Sequence, residues 1–135
     1  MLSDSEIRDM FTRKGTIAVV GLSDRPSRAS HSVARFLQRE GHRIIPVNPT
    51  LQGPVLGEQP YARLRDVDVP VDIVDIFRRS EHVPEIVEDA IAIGAQVIWM
   101  QLGIMHAEAA ARAEAAGLDV VMNRCTAIEY GRVMP

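Results

Sequence analysis

The sequence predicts an α/β fold: one domain in three layers, with helices covering both faces of a doubly wound parallel sheet. Two observations predict it. A junction of helix-like segment, glycine and short apolar run recurs as "FLQREGHRIIPV", "AIAIGAQVIWM" and "AEAAGLDVVM", with Gly41, Gly94 and Gly117 at the joints. Glycine just past a helix takes the left-handed cap conformation at low cost. The apolar runs are also nearly continuous in Val and Ile rather than alternating, as strands buried on both faces require. Strands alternating with helices across short joints give a parallel sheet.

Element by element, the chain opens with a capping box, Ser3-x-x-Glu6, which starts a helix within residues 1–15 that packs on the domain. Strands are expected at 16–21, 43–47, 71–77, 96–100 and 119–122. The helix at 30–40 carries Val33, Ala34, Phe36 and Leu37 on one side. The helix at 80–93 offers Ser80 as N-cap and a stripe of Val83, Ile86, Val87 and Ala90. An alanine-rich helix is expected at 106–116 and a short one at 126–132. The stretch "NPTLQGPVLGEQPYARLRDVDVP" is too rich in Pro and Gly for a crossover helix. It is expected to form a short edge strand at 54–57 with a meandering return.

Composition narrows the function classes. The chain has 135 residues, 47% hydrophobic and 24% charged, with a net charge of −3. That balance opposes nucleic-acid binding through a broad basic surface. No apolar run approaches the ~20 residues that span a bilayer, and the polar, acidic start "MLSDSEIRDMF" fits neither a signal nor a transit peptide. A cytoplasmic location without membrane contact is expected. Cys125 is the only cysteine, which excludes an intramolecular disulfide and a multi-cysteine zinc site, and the four histidines show no metal spacing.

In such sheets ligands bind beyond the carboxyl ends of the strands, where strand order reverses. The first such turn, "VVGLSDRPSRAS", holds one glycine, Gly21, followed by Ser23, Arg25, Ser27, Arg28 and Ser30. Hydroxyls, guanidinium groups and the free N–H groups of a helix start all favour an anion such as phosphate; a solvated loop with serine caps is the plainer alternative. With a single glycine, and the neutral Asn48 where a nicotinamide-cofactor fold wants an acidic residue, ordinary NAD binding is disfavoured. Pro46, Val47, Asn48 and Pro49 form a rigid turn. Ile76 and Phe77 offer an apolar wall and Arg78 a charge, unless Phe77 is core and the arginine solvated. Gln101, Leu102 and Gly103 suit an uncharged chain. Asn123, Arg124 and Cys125 put a thiol at a helix start, although a lone cysteine is more often a small buried hydrophobe.

These stretches, with "VDIVDIFRRSEHVPEIV", "VIWMQLGI" and "VVMNRCTAIEYGR", closely resemble the small bacterial CoA-binding proteins. Those are stand-alone relatives of the CoA-binding domain in the succinyl-CoA synthetase α subunit, and the resemblance runs over residues 16–132. It implies a Rossmann-like domain that holds coenzyme A, or an acyl-CoA, across the crevice. On the family pattern Gly21, Ser23, Arg28 and Ser30 would hold phosphates, with Arg25 as a helper. Pro46 to Pro49 would bound the adenosine end, and Ile76, Phe77 and Arg78 would flank the diphosphate. Gln101, Leu102 and Gly103 would follow the pantetheine arm, and Asn123 to Cys125 would lie nearest the thiol. Leu22 departs from the commoner alanine and is expected to crowd a close ligand. The resemblance leaves three roles open: a non-catalytic carrier, sensor or regulator; a detached acyl-CoA synthetase subunit needing a nucleotide-grasp partner; or a thiol protein forming a CoA mixed disulfide at Cys125. A protein partner or a homo-oligomer fits any of them.

Overall fold

In a computed structural model, which describes residues 2–135, five parallel strands run in the order β2-β1-β3-β4-β5. They are β1 (Thr16–Val20), β2 (Arg43–Val47), β3 (Ile73–Ile76), β4 (Val97–Met100) and β5 (Asp119–Met122). Between and around them lie α1 (Asp4–Thr12), α2 (Ala29–Arg39), α3 (Val83–Ala92), α4 (Ala107–Ala115) and α5 (Thr126–Val133). Each strand buries both faces, so period-two alternation sorts its side chains into two cores. Ile17, Val19, Ile44, Ile73, Trp99 and Val121 join α1, α2 and α5 on one side. Ala18, Val20, Ile45, Val74, Ile98 and Val120 meet α3 and α4 on the other.

The register sets where a site can form. Val20 pairs with Val47 on one flank and Ile76 on the other, so the central strand and its neighbours end level. The chain leaves β1 outward to β2, then crosses back past β1 to β3. Strand order therefore reverses around β1, and the adjoining loops part there to leave a crevice.

Local signals explain most elements. Ser3 and Glu6 form both halves of the capping box of α1. Three expectations need correction. Ser80 does not cap α3: a 3-10 turn at Ser80–His82 precedes the helix, which begins at Val83 with Pro84 in its first turn. The Ser80 hydroxyl instead accepts the Met105 N–H at 3.0 Å, a partner supplied by another loop. Residues 54–57 form no strand, only a bridge between Val55 and Glu58, because Pro54 has no N–H to pair and Leu56 and Gly57 take positive φ, which turns the chain back on itself. The third strand is shorter than the apolar run that announced it, ending at Ile76.

The long segment after β2 straddles the sheet edge. Leu51, Val55 and Leu56 pack with the α2 side, and Leu64 and Val67 with the α3 side. Between them Tyr61 hydrogen bonds the backbone of β2, its N–H to Pro46 O at 2.9 Å and its carbonyl accepting the Asn48 N–H at 2.9 Å.

At the opposite end of the sheet His42 is buried against the edges of the Phe11 and Tyr130 rings. Its Nδ1 lies 3.2 Å from Leu37 O, and its Nε2 has no hydrogen-bond partner among the described residues. Desolvation holds the imidazole below its ordinary pKa of 6.5. The unfolded chain therefore takes up a proton that the folded chain refuses, and stability falls as pH drops below 6.5. His42→Leu is expected to flatten this acid limb, read as a smaller loss of Tm between pH 7 and pH 5 than in the parent.

Candidate functional site

The β1–α2 loop begins under constraint. Gly21 donates its N–H to Val47 O at 2.8 Å and has φ +91°. A Cβ placed there would sit 2.8 Å from the Phe77 carbonyl oxygen. Glycine is required because the loop passes between the ends of β2 and β3.

Beyond Gly21 the loop is held by its own side chains. Ser30 Oγ accepts the Ser23 N–H at 3.0 Å, and Ser23 Oγ accepts the Arg25 N–H at 3.1 Å. His31 Nδ1 lies 2.8 Å from Ser23 O, so that nitrogen carries the proton and donates it. Asn48 donates Nδ2–H to Leu22 O at 3.1 Å, while its Oδ1 accepts from Thr50 N and Oγ1. This explains why a neutral amide serves after β2: it ties two loops together. The bonds have a chemical consequence. Each serine oxygen already receives one N–H, which leaves its own O–H free to donate to an anion.

Arg28 occupies the N-cap of α2 without a side-chain cap bond, so the first-turn N–H groups at Ala29 and Ser30 need another acceptor. Arg25 and Arg28 are exposed, and neither makes an ion pair among the described residues. Arg124 and Arg132, by contrast, are engaged by Glu129. The loop borders a cavity of about 590 Å³ whose other walls include Asn48, Leu51 and Phe77. A second cavity, about 200 Å³, opens on the α3 side of the same strand ends against Val47, Pro49, Ile86 and Arg78.

Thus Gly21, Ser23, Arg25, Arg28, Ser30, Asn48 and Phe77 come together around one cavity, and Val47, Pro49 and Arg78 border its neighbour. Other residues singled out in the sequence lie elsewhere. Leu22 is fully buried in the α2-side core, so its side chain points away from the crevice and does not crowd it. Pro46 and Ile76 are buried within the sheet. Gln101 is buried, with Nε2 2.6 Å from Asp75 Oδ1 and 2.7 Å from Thr126 Oγ1. Leu102 is exposed, and the Gly103 N–H donates to Asn123 Oδ1 at 2.7 Å, joining the loops after β4 and β5. Cys125 is part-buried at the N-cap of α5, without a side-chain cap bond.

Asp75 escaped the sequence reading. It is fully buried, and burial pushes its carboxyl up to about 7 against the opposing pull of bonds from Gln101 and Thr126. The signal was present as a lone acid inside a run already read as buried on both faces, a placement that demands a partner.

Comparison with known proteins identifies the family and the fold. A family model described as CoA binding domain matches residues 15–131. The uncharacterized protein YneT of Bacillus subtilis (strain 168) is 41% identical over 128 residues, covering 95% of this chain and 94% of its own. A hypothetical protein from Pyrococcus horikoshii OT3 superposes with a TM-score of 0.94 at 37% identity, covering 99% and 94% of the two chains. A dinucleotide forming acetyl-coenzyme A synthetase of Ca. Korarchaeum cryptofilum matches at TM-score 0.69 and 26% identity, over 78% of this chain and 25% of that one. By the family model and by its relatives, the chain belongs to the CoA binding domain family.

Proposed function

We propose that the chain binds coenzyme A or an acyl-CoA in the crevice at the ends of β1, β2 and β3, and acts as a carrier, sensor or regulator rather than a catalyst on its own. The observation that carries this reading is the β1–α2 loop. Two arginines without an ion pair among the described residues, hydroxyls with one lone pair already taken and the uncapped start of α2 border the same cavity. All are donors to anions, which suits holding a ligand with several phosphate groups. Gly21, Ser23, Arg25, Arg28 and Ser30 would hold the phosphates. Val47 and Pro49 would bound the adenosine, and Phe77 and Arg78 would flank the diphosphate. The pantetheine arm would run past Leu102 and Gly103 toward Asn123 and Cys125.

Calorimetric titration with CoA, 3′-dephospho-CoA and NAD tests this. CoA is expected to bind, dephospho-CoA to bind more weakly and NAD not at all. Arg28→Ala is expected to weaken CoA at least tenfold, since a hydrogen bond to a charged group contributes about 1.5–3 kcal/mol. Equal binding of CoA and NAD, or an Arg28→Ala variant with unchanged affinity, would refute it.

A second reading, a subunit that becomes catalytic only with a partner, is supported by the likeness to a quarter of the acetyl-coenzyme A synthetase chain. It requires that a nucleotide-grasp subunit from the same cell co-purify with the chain and that the pair form a thioester at the expense of a nucleotide. Acyl-CoA synthesis by neither the chain nor the pair would exclude it.

A further inference from the structure

Beneath the crevice lies a polar network without a cation. Asp75 sits on β3 two residues before Phe77, about 7 Å of extended chain from the cavity wall. Its carboxyl accepts from Gln101 Nε2 at 2.6 Å and from Thr126 Oγ1 at 3.2 Å, and these are its only side-chain hydrogen bonds among the described residues. The register places it between Val19 of β1 and Trp99 of β4, both fully buried and apolar. Of the helices on this side, α5 supplies Thr126 and also carries Glu129, which is engaged by Arg124 and Arg132. Helix α2 carries His31, bound to Ser23 O, with Arg35 and Arg39 further along. The charges of α1 include Asp4, bound to Arg132, and Glu6, bound to Ser3.

A fully buried carboxyl with neutral partners is finely balanced between its two forms, since burial opposes the charge and hydrogen bonds favour it. At neutral pH this balance leaves both forms populated. Phosphate groups seated above would oppose a second negative charge below. At an effective dielectric near 20, one charge about 12 Å away raises the proton affinity of the carboxyl roughly tenfold.

We propose that ligand binding in the crevice is coupled to proton uptake by Asp75, so that affinity for a phosphate-bearing ligand falls as pH rises through neutrality. The proposal rests on the anion-binding reading of the β1–α2 loop. It makes Asp75 a positioning and sensing residue that touches no ligand, with Gln101 and Thr126 tying its charge state to the start of α5 beside Cys125. With a tenfold coupling, CoA affinity drops roughly fivefold between pH 6 and pH 8.

The test is calorimetry of the full chain with CoA at pH 7.5 in two buffers of different ionisation enthalpy, with Asp75→Asn beside the parent. The parent is expected to take up roughly half a proton more per CoA than the variant, and its affinity to decline between pH 6 and pH 8 more steeply. Protons exchanged by the ligand's own phosphate groups are common to both proteins and cancel in the difference. Equal proton counts and parallel pH profiles overturn the proposal while leaving the ligand reading intact. An Asp75 carboxyl carbon that titrates near 4 by NMR in the ligand-free parent overturns it without recourse to the variant. Absence of CoA binding at every pH removes the ligand reading and, with it, the coupling.

Discussion

Gly21→Ala is expected to destabilise the fold by about 3 kcal/mol and to abolish ligand binding in whatever fraction remains folded. Two effects add. At φ +91° an L side chain is strained. The new methyl would also meet the Phe77 carbonyl oxygen at 2.8 Å. That oxygen cannot withdraw freely, because the Phe77 N–H is bonded to Val20 O at 2.9 Å and fixes the end of β3 against β1. Gly117→Ala is the control. Gly117 has the same φ, +91°, but nothing lies within 4 Å of its added Cβ, so it should cost only about 1 kcal/mol. Denaturant melts of the two variants isolate the close approach from the backbone strain. Equal losses would show that the junction of β1 and β3 yields more than its hydrogen bonds imply.

Asp75→Asn is expected to stabilise the protein at pH 8 and to do so less and less toward pH 4. The sign follows from the direction of the shift. The folded carboxyl is raised from an ordinary value of 3.8 to about 7, so between those limits the folded state binds more protons than the unfolded one. Parent stability therefore declines as pH rises through that window and levels off above it. At about 1.4 kcal/mol per unit, the ceiling on the gain at pH 8 is about 4 kcal/mol. Asparagine keeps an oxygen for Gln101 Nε2 and offers an N–H to Thr126 Oγ1, so the network survives. Urea melts at several pH values read the difference directly; a constant difference from pH 4 to pH 8 would show that Asp75 does not titrate on unfolding. His42 acts in the opposite sense below 6.5, inside the window of Asp75, so over that range the two contributions offset each other.

What the sequence made legible is what short stretches of chain determine. The apolar runs at 43–47 and 119–122 are the strands Arg43–Val47 and Asp119–Met122. The capping box at Ser3 and Glu6 and the glycine joints depend only on neighbours within a turn. Ser80 was misread because its partner, the Met105 N–H, lies 25 residues away. Asp75 was passed over for the same reason, with Gln101 and Thr126 lying 26 and 51 residues off. At the site, the residue types in the β1–α2 loop pointed to an anion. Composition could not show that Ser23 and Ser30 have oxygens already occupied by loop amides, or that Leu22 turns inward. Both follow from how the loop folds back on α2.

The segment after β2 also shields one end of an edge strand. Tyr61 occupies the Pro46 carbonyl on the open side of β2, a group that another chain would otherwise pair with. Thr50 and Leu51, earlier in the same segment, form part of the wall of the larger cavity, and Ala62, Arg63 and Leu64, just after Tyr61, border the smaller one. Edge protection and the shape of both cavities therefore depend on the same stretch of chain. Peeling that stretch away would open both cavities and expose the end of an edge strand in one event, and any ligand seated against it would oppose both.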